Sequence, residues 1–360
     1  MNPTRLLLVA PSLDIMGGQS VQASRLFVHL QTEPSVQVTF LPVNPRLPGP
    51  LAALQQVKYV RTIVTFIAYL LALLRAVPKQ EVLHVFAAGY TSFLLAAAPA
   101  ILIGRMLGKK TILNYRDGRA EDHLAKWPST VSILRRADLL VTSSGFLVDV
   151  FARHGIAALP DYNLMDAARF HYRERARPAP VFLHNRGLEP VYDVPCTLRA
   201  FALIQRRYPQ ASLVVAHDGP LRAELERLSQ NLRLRNVRFI GGVPPEQMPS
   251  ILDESDIYLT TPSIDNMPGS LLECFAAGLP VVATRVGGIP CILEDGRTGL
   301  LASPGDAESI AACAFRYLEE DGLALSIARA ARAECGKYSW ASVGPQWLSL
   351  YRSMKNAVGS

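Results

Sequence analysis

Two acidic side chains, Asp265 and Glu273, stand with seven residues between them in the stretch TPSIDNMPGSLLECFAAGLPVVAT, residues 261–284. The first acid lies in a turn rich in proline and glycine, and the second lies in an apolar run typical of a helix. Carboxylates accept hydrogen bonds from hydroxyl groups, so the pair suits a ligand that carries hydroxyls at two separate positions. The alternative is a capped helix with a solvent-facing Glu273, since the spacing of two acids alone is a weak signal.

The turn between the acids predicts a helix that begins near Gly269, runs to about Ala277 and is ended by Gly278. The backbone N–H groups of residues 269–271 are expected to lack helical partners and to point outward. Such a helix start binds anions, and a diphosphate fits it. With one acid before the helix and one a turn inside it, the spacing suits a ligand in which a diphosphate joins a sugar to a ribose.

The residues around the acids, PSIDNMPGSLLECFAAGLPVVATRVGGIPCILEDGRTGLLASPGD (262–306), resemble the donor-binding motif of the family-4 retaining glycosyltransferases, which have the GT-B fold. In that family the first acid contacts the transferred sugar and the second binds the nucleotide ribose. The resemblance implies these roles for Asp265 and Glu273, with Asp265 as a shorter replacement for the usual Glu. It also implies donor contacts from the turn and the helix start, at Asn266, Met267, Pro268, Gly269, Ser270 and Leu271.

A looser resemblance covers the first strand and the loop after it. The stretch VAPSLDIMGGQSVQASRL (9–26) is similar to the family's glycine-rich loop. Gly17 and Gly18 would let the backbone approach the phosphates or the sugar of the donor closely. The alternative is a plain turn from strand to helix.

The diphosphate contact implied by the resemblance rests on Arg186, in NRGLEPVYDVPCTLRAF (185–201). The lysine that the family places five residues later is Val191 here, so one expected cation is replaced. A single arginine can still make a bidentate contact with a phosphate. The base pocket is implied at AHDGPLRAEL and GGVPPEQM, with contributions from His217, Gly219 and Val243. A merely structural His217 is the alternative.

In the N-terminal half, the charged loop LNYRDGRAEDHL (113–124) follows a predicted strand. The family often places a histidine on the transferred sugar near here. No histidine role is carried over, and Arg116 is the candidate catalytic residue at that position. Asp117, Arg119 and, on an earlier strand, His84 are the candidate acceptor-side residues. The alternatives are a solvated surface loop and a structural histidine.

These side chains need a scaffold that brings strand ends and helix starts together. Apolar strands alternate with helical segments in both halves of the chain, which predicts parallel sheets covered on both faces. We expect an α/β protein with two doubly wound, Rossmann-like domains that face each other across a cleft. The acceptor-side domain is placed at 1–172, the nucleotide-sugar domain at 178–338, and a C-terminal helix at 339–360, packing back on the first domain. The stretch 170–180 is expected to act as a hinge.

Composition argues against several classes of function. The formal net charge of +7 over 360 residues is mild and not concentrated in a lysine run, which argues against a nucleic-acid partner. Five cysteines without a C-x-x-C pair argue against a disulfide framework or a zinc site, and favour a reducing, cytoplasmic location. No Asp-x-Asp stands where it would suit a divalent ion, so neither a metal nor another cofactor is expected.

The segment YVRTIVTFIAYLLALLRAV (59–77) is strongly apolar. Its uncharged core, from Thr62 to Leu74, is too short to span a bilayer, which needs roughly 20 residues. Arg61 and Arg75 bracket this core. One interpretation is a buried helix of a large domain. The other is an interfacial helix whose basic ends lie on lipid phosphates at the inner face of the plasma membrane.

Together with the resemblance, these features predict a retaining glycosyltransferase that moves a sugar from a UDP- or GDP-sugar to a hydroxyl acceptor. The basic charge and the apolar segment favour a lipid-linked acceptor, as in bacterial envelope polysaccharide synthesis. Two alternatives stay open, a non-catalytic nucleotide-sugar-binding protein and a nucleotide-sugar epimerase of the same fold. A dinucleotide-dependent oxidoreductase is disfavoured, because the first glycine-rich turn lacks G-x-G-x-x-G.

Overall fold

The computed structural model describes residues 2–14 and 17–357 of the chain. These residues fall into two compact units. Unit 1 comprises Met1–Leu164 and Trp340–Ser360, and unit 2 comprises Met165–Ser339. Each unit contains a six-stranded parallel sheet among its described residues, with helices between the strands. The prediction of an α/β, doubly wound architecture in both halves of the chain is therefore confirmed.

The sheet of unit 1 is built from apolar segments that alternate with helices along the chain. Its strands are β1 Thr4–Ala10, β2 Val36–Pro42, β3 Val82–Ala87, β4 Lys110–Tyr115, β5 Leu139–Thr142 and β6 Leu159–Pro160, in the spatial order β2-β1-β3-β4-β5-β6. Strands β1 and β3 are buried on both faces, which suits their almost continuous apolar runs.

The helices of unit 1 lie between and after these strands. They are α1 Gly18–Gln31, α2 Val60–Ala76, α3 Tyr90–Ser92, α4 Ala98–Met106, α5 Ala120–Lys126, α6 Ser129–Leu134 and α7 Gly145–Arg153. A π-helical stretch, Phe93–Ala97, joins α3 to α4 into one helical run, and 3₁₀ turns at Gly49–Gln56 and Val77–Lys79 flank α2.

Unit 2 repeats the same plan. Its strands are β7 Val181–His184, β8 Ser212–Val215, β9 Val237–Phe239, β10 Ile257–Thr260, β11 Val281–Thr284 and β12 Leu300–Ala302, in the order β12-β11-β10-β7-β8-β9. Its helices are α8 Val194–Arg207, α9 Arg222–Asn231, α10 Met248–Asp253, α11 Gly269–Ala277, α12 Ala307–Glu319 and α13 Leu323–Glu334. Short 3₁₀ turns lie at Ala167–Arg169, Pro190–Tyr192, Ile289–Cys291 and Cys335–Tyr338.

Local signals set the ends of α8 and α11. Asp193 caps α8, because its side chain accepts a hydrogen bond from the N–H of Cys196 at 3.3 Å. Helix α11 ends at Gly278, as predicted, where φ is +67°. A Cβ at Gly278 would lie 2.6 Å from the carbonyl oxygen of Arg173, so both the backbone conformation and the close packing require glycine.

The final helix, α14 Trp340–Asn356, belongs to unit 1. It buries Val343, Trp347 and Tyr351, which repeat every four residues on one face. These side chains pack with residues of the sheet such as Leu6 and Val82. The chain therefore passes into unit 2 at Met165 and returns to unit 1 at Trp340.

The stretch 170–180 does not behave as the expected hinge. Arg175 is buried and donates to the carbonyl oxygens of Leu252 at 2.7 Å and Ala277 at 2.8 Å. The N–H of Ala179 donates to the carboxylate of Asp256 at 2.9 Å. The hinge prediction is wrong because these bonds tie the stretch to unit 2, and unit 2 begins at Met165 rather than after residue 172.

The buried-helix interpretation of segment 59–77 is also wrong. Within α2 only Tyr69 and Leu73 are buried. Among the described residues, Val60–Lys79 is the helical run long and apolar enough to cross a membrane by length and composition, with 20 residues and a mean hydropathy of 1.8. Only 17% of its most apolar window is buried. Ile63, Ile67 and Leu74 of α2 are more than half exposed, so one apolar face of the helix is left uncovered within unit 1.

Candidate functional site

The sheet of unit 2 reverses its strand order between β7 and β10. These strands are parallel neighbours, although β8 and β9 separate them along the chain. In doubly wound sheets, ligands bind beyond the carboxyl ends of the strands at such a reversal. The loop after β7 carries Arg186, and the loop after β10 carries Asp265. The sheet order thus brings together two residues that are distant in sequence.

Arg186 and Asp265 form a largely buried ion pair. Nη2 of Arg186 donates to Oδ2 of Asp265 at 2.6 Å, and 18% and 13% of the two side chains are exposed. The Tyr192 ring lies against the guanidinium, with its centroid 4.5 Å from Cζ. Burial alone would lower the pKa of Arg186, but the carboxylate of Asp265 raises it above its usual value. Arg186 is therefore a permanent positive charge at the strand-order reversal.

The loop after β11 packs against the loop that carries Asp265 and fixes its backbone. The N–H of Gly288 donates to the carbonyl oxygen of Asp265 at 3.0 Å. Gly287 has φ +51° and lies so close that a Cβ would overlap this oxygen. Oδ1 of Asp265 accepts the N–H of Asn266 at 2.8 Å. Both the backbone and the carboxylate of Asp265 are thus held in one position.

Helix α11 begins beside this loop without a side-chain cap, because Pro268 occupies the N-cap position. Among the described residues, the N–H groups of Gly269 and Ser270 make no hydrogen bond. The expectation of an unpaired amide at Leu271 is wrong, since its N–H donates to the carbonyl oxygen of Pro268 at 3.2 Å in a tightened first turn. A Cβ on Gly269 would meet no atom within 4 Å, so the space beside this residue is open.

The side chains of the turn and of α11 divide between the core and the surface. Glu273, one turn into α11, is half-buried. Asn266, Met267 and Pro268 are buried, and the side chain of Met267 packs into the hydrophobic core. For Met267, the predicted contact with a donor is therefore restricted to its backbone.

A buried hydroxyl network connects the end of β7 to the first turn of α11. The hydroxyl of Tyr258 donates to Oδ1 of Asn185 at 2.7 Å and lies 3.1 Å from Oγ of Ser270. Burial raises the pKa of Tyr258, so this hydroxyl stays protonated. The Ser270 side chain is therefore engaged inside the protein, which leaves its N–H as the remaining group of this residue for a ligand.

The loops after β7 and β8 also pack together, as neighbouring parallel strands require. The N–H of Leu188 donates to the carbonyl oxygen of Asp218 at 3.1 Å. A Cβ at Gly219 would lie 2.6 Å from the carbonyl oxygen of Leu188, so glycine is needed for this contact. His217 is exposed beside it, and Val243 is half-buried against the core.

In unit 1, the loop after β4 carries Arg116, which is half-buried. Nη1 of Arg116 donates to Oδ1 of Asn114 at 3.1 Å, and its guanidinium lies 5.6 Å from the centroid of the Phe86 ring. Burial lowers the pKa of Arg116 to about 10, while Asp161 acts in the opposite direction. Arg116 is therefore charged at neutral pH.

Asp117 organises the rest of this loop. Its carboxylate accepts the N–H of Gly89 at 3.2 Å, the N–H of Arg119 at 3.0 Å and Nη2 of Arg119 at 3.1 Å. Burial acts to raise the pKa of Asp117, but the hydrogen bonds from Arg119 bring it below its usual value. The structure thus brings Asp117 and Arg119 together at the carboxyl end of β3 and β4.

His84 does not lie at a strand end. It is fully buried within β3, and its ring nitrogens are 2.8 Å from the hydroxyl of Tyr351 and 3.2 Å from Nδ2 of Asn114. Burial lowers the pKa of His84 to about 3, so the ring is neutral. The acceptor-side assignment of His84 is wrong because no part of its ring reaches the surface, and the structural alternative is confirmed.

Gly17 and Gly18 are exposed at the start of α1, where a Cβ on either would meet no atom within 4 Å. Gly17 has an extended backbone with φ −179°, so its own conformation does not demand glycine. Residues 15 and 16 of the same stretch lie outside the described residues. The close approach of a ligand to these two glycines stays a prediction.

Sequence reasoning missed several residues that the structure places in these clusters. Tyr192 packs against Arg186, and Gly287 packs against Asp265. No sequence feature indicated these contacts, apart from the position of Tyr192 beside Val191 and of Gly287 among the glycines of the donor motif. In unit 1, Tyr90 has φ +57° without being a glycine, which marks a strained position at the start of α3. His123, by contrast, lies in the charged loop 113–124 that the sequence had already indicated; it is buried, with Nδ1 2.9 Å from the hydroxyl of Tyr115.

The amino-acid sequence is similar to those of known glycosyltransferases. Residues 171–334 match the family model described as Glycosyl transferases group 1. The chain is 34% identical over 165 residues to D-inositol 3-phosphate glycosyltransferase of Corynebacterium urealyticum. The aligned region covers 44% of this chain and 39% of that protein. The chain is 27% identical over 285 residues to sulfoquinovosyl transferase SQD2 of Arabidopsis thaliana, which covers 73% of this chain and 54% of that protein. The chain thus spans about half, or less, of the length of these two relatives.

Solved structures of the same fold cover almost the whole chain. HepE of Anabaena, in complex with UDP and glucose, matches with a TM-score of 0.75 and 18% identity over 97% of this chain and 100% of that chain. Sucrose-phosphate synthase from Thermosynechococcus elongatus matches with a TM-score of 0.76 and 18% identity over 98% and 100% of the two chains. The protein therefore has the fold of these GT-B structures, and its residues 171–334 are similar to group 1 glycosyl transferases.

Proposed function

We propose that the protein is a retaining glycosyltransferase that moves a sugar from a nucleoside diphosphate sugar to a hydroxyl group. One observation carries the proposal. At the strand-order reversal of unit 2, the charged Arg186 is paired to the turn that opens α11, whose first two amides are unpaired among the described residues. Fixed positive charge and outward N–H groups stabilise a leaving diphosphate. The match of residues 171–334 to group 1 glycosyl transferases supports this function.

The proposed donor is a UDP- or GDP-sugar. HepE, which shares the fold, forms a complex with UDP and glucose, and this supports a uridine nucleotide. In the proposed complex the diphosphate lies on Arg186 and on the amides that open α11. The ribose hydroxyls are bound by Glu273, and the base lies beside Gly219.

The chemistry of transfer follows from where charge develops. Breaking the bond between the sugar and the diphosphate leaves negative charge on the diphosphate and positive charge on the anomeric carbon. Arg186 and the helix amides stabilise the departing group because they are held in place before the reaction. The acceptor oxygen forms the new bond to the anomeric carbon, and its proton leaves with the diphosphate. In unit 1, Arg116 keeps its predicted catalytic role, and Asp117 and Arg119 keep their predicted acceptor-side roles.

The test is an assay of purified protein with a panel of UDP- and GDP-sugars, with and without added acceptors. We expect release of nucleoside diphosphate that increases when an acceptor is present, and a product with the anomeric configuration of the donor, measured by NMR. Tight binding without turnover across the panel would instead favour a non-catalytic binding protein. Conversion of the sugar nucleotide to an epimer, without diphosphate release, would favour the epimerase.

We also propose that α2 rests on a membrane surface. Its exposed side carries an apolar stripe, defined as Val60, Ile63, Ile67, Leu71 and Leu74, whose members are 36% to 62% exposed. The spacing of three and four residues places them on one helix face. The preceding turn adds the exposed side chains of Leu51, Leu54, Val57 and Tyr59. A stripe of this length and hydropathy, left uncovered by its own unit, suits the interfacial region of a bilayer.

The charges around the stripe favour an anionic membrane. Lys58, Arg61, Arg75 and Lys79 are all exposed at or near the two ends of α2. Basic side chains in such positions attract anionic lipid headgroups, each contributing on the order of 1 kcal/mol near the surface. We therefore propose a cytoplasmic enzyme that is peripheral on the inner face of the plasma membrane. This location favours a lipid-linked acceptor of the kind used in envelope polysaccharide synthesis.

Flotation with vesicles tests this location. We expect the protein to float with vesicles that contain phosphatidylglycerol, and to float less with pure phosphatidylcholine or at high salt, since salt screens the basic residues. Failure to float with either lipid would remove the membrane proposal without affecting the donor assay.

A further inference from the structure

The carboxylate of Asp265 is already engaged by the protein. Its Oδ2 accepts from Nη2 of Arg186 at 2.6 Å, and its Oδ1 accepts the N–H of Asn266 at 2.8 Å. The side chain is only 13% exposed. A glutamate at this position, as the resemblance leads one to expect, would be longer by one methylene and would extend farther from the loop. The shorter aspartate instead stays against Arg186.

The backbone gives Asp265 little freedom to turn away from this contact. Its carbonyl oxygen is bound by the N–H of Gly288 at 3.0 Å, and Gly287 packs directly against the same oxygen. Any rotation of the loop that carried the carboxylate outward would have to move the loop after β11 as well.

Arg186 depends on few contacts for its orientation. The ring of Tyr192 supports one face, 4.5 Å from Cζ, and Asp265 binds Nη2. The buried Nε has no hydrogen-bond partner among the described residues. Where the resemblance leads one to expect a second cation, the chain has Val191. Binding of a diphosphate therefore depends more on the orientation of this one guanidinium than it would in a site with two cations.

We propose that Asp265 acts through Arg186: its carboxylate holds the guanidinium in the orientation that binds the diphosphate, rather than contacting the transferred sugar. This inference rests on the proposed function of the same site. It makes Asp265 a positioning residue whose effect is felt by any ligand with a diphosphate, whether or not a sugar is attached.

The deciding experiment is calorimetric titration with UDP and GDP, which carry the diphosphate and no sugar. Wild type is compared with Asp265→Ala, Asp265→Asn, Arg186→Ala and the double variant Asp265→Ala/Arg186→Ala. Glu319→Ala is the matched control, because it removes an acid that is paired to Arg207 at 2.9 Å on an exposed surface of the same unit. Thermal unfolding of each variant checks that it is folded, and Asp265→Asn supplies the test if the alanine variant is not.

We expect Asp265→Ala to weaken binding of the nucleoside diphosphate about tenfold, and Asp265→Asn to weaken it less because an oxygen acceptor remains. The double variant should bind no more weakly than Arg186→Ala alone, because both changes remove one coupled contact. Glu319→Ala should bind like wild type.

Two outcomes overturn the inference in different ways. If Asp265→Ala binds UDP and GDP as wild type does, or more tightly, and loses affinity only for sugar nucleotides, then Asp265 contacts the sugar and only this inference fails. If wild type binds neither nucleotide, the proposed function fails, and this inference fails with it.

Discussion

Of the two acids in the proposed donor site, Glu273 is the one that lies within a regular helix. It lies one turn into α11 and is half-buried, while its neighbours Leu272 and Cys274 are buried in the core. The helix therefore fixes the direction of the carboxylate, and its distance along the axis from the first amides suits the step from a diphosphate to its ribose.

We predict that Glu273→Gln weakens UDP binding about 10-fold or more, since a hydrogen bond to a charged group contributes about 1.5–3 kcal/mol. Calorimetry with UDP and 2′-deoxy-UDP checks the role directly. Wild type should prefer the ribonucleotide, and the variant should discriminate less. Glu308→Gln, on the exposed start of α12, is the control. An unchanged preference in Glu273→Gln would show that the ribose lies elsewhere.

Gly287 provides a second prediction at the level of single residues. Gly287→Ala meets both an unfavourable φ of +51° and overlap with the carbonyl oxygen of Asp265. We expect it to destabilise the protein by about 2 kcal/mol or more and to weaken donor binding. Gly296→Ala is matched to it, because Gly296 also has positive φ, +74°, but open space around its Cβ position. The free energy of unfolding of this control, measured in urea, should decrease by only about 1 kcal/mol. Equal losses in the two variants would show that the Gly287 contact is not restrictive.

At the scale of elements, helix α2 carries more apolar side chains than its contacts within unit 1 bury. We predict that the double variant Ile63→Gln/Ile67→Gln lowers vesicle binding at least tenfold, because the exposed half of each isoleucine loses about 1 kcal/mol or more of apolar transfer. Its unfolding free energy should change little, since 62% and 51% of these side chains are exposed in the protein. Val28→Gln, a 56% exposed position on α1, is the matched control. Flotation of the double variant at the wild-type level would contradict the membrane proposal.

The segment that leads into β7 gives a second prediction at the level of elements. Arg175 binds the carbonyl oxygens of Leu252, Ser255 and Ala277 near the ends of α10 and α11. We expect Arg175→Ala to destabilise unit 2 by about 3 kcal/mol or more, because buried carbonyl groups lose a charged donor. Arg329→Ala, which breaks only an exposed pair with Glu174, should cost less than about 1 kcal/mol. Similar costs in denaturant unfolding would show that the segment is not fixed by Arg175.

For the molecule as a whole, Asp161 makes stability depend on pH. It is buried directly after β6, and burial raises its pKa to about 7, although Arg116 acts in the opposite direction. Because this pKa lies above that of the unfolded chain, the folded state binds more protons between about pH 4 and pH 7. The contribution of Asp161 to stability is therefore fully present below about pH 4 and decreases as pH rises to about 7.

We predict that Asp161→Asn flattens this part of the stability profile, by about 4 kcal/mol at most over the interval. The slope is the quantity to compare, because the substitution also leaves the half-buried Arg116 without its acidic neighbour. Denaturant unfolding at pH 4, 5, 6 and 7 measures it for both proteins. Parallel profiles would show that Asp161 does not titrate in this range.

Much of the architecture was predictable because its signals are local. The bounds of α8 and α11 follow from a capping aspartate, a proline in the first turn and a terminal glycine, and alternating apolar strands and helices indicate parallel sheets. Short elements escaped prediction, for example β6, since two residues carry no periodicity. The turn and helix of the proposed donor motif were likewise predictable, because they are contiguous in the chain.

What the sequence alone determined about this protein is thus the doubly wound α/β class, the helix that opens after Pro268 and the two acids around it. Only the tertiary structure decided that Arg186 binds Asp265, that His84 is enclosed, that Arg175 fixes the supposed hinge and that the apolar face of α2 is left uncovered. The physical reason is that capping and periodicity act over a few residues. By contrast, strand order and the choice of buried face depend on which distant segments become neighbours.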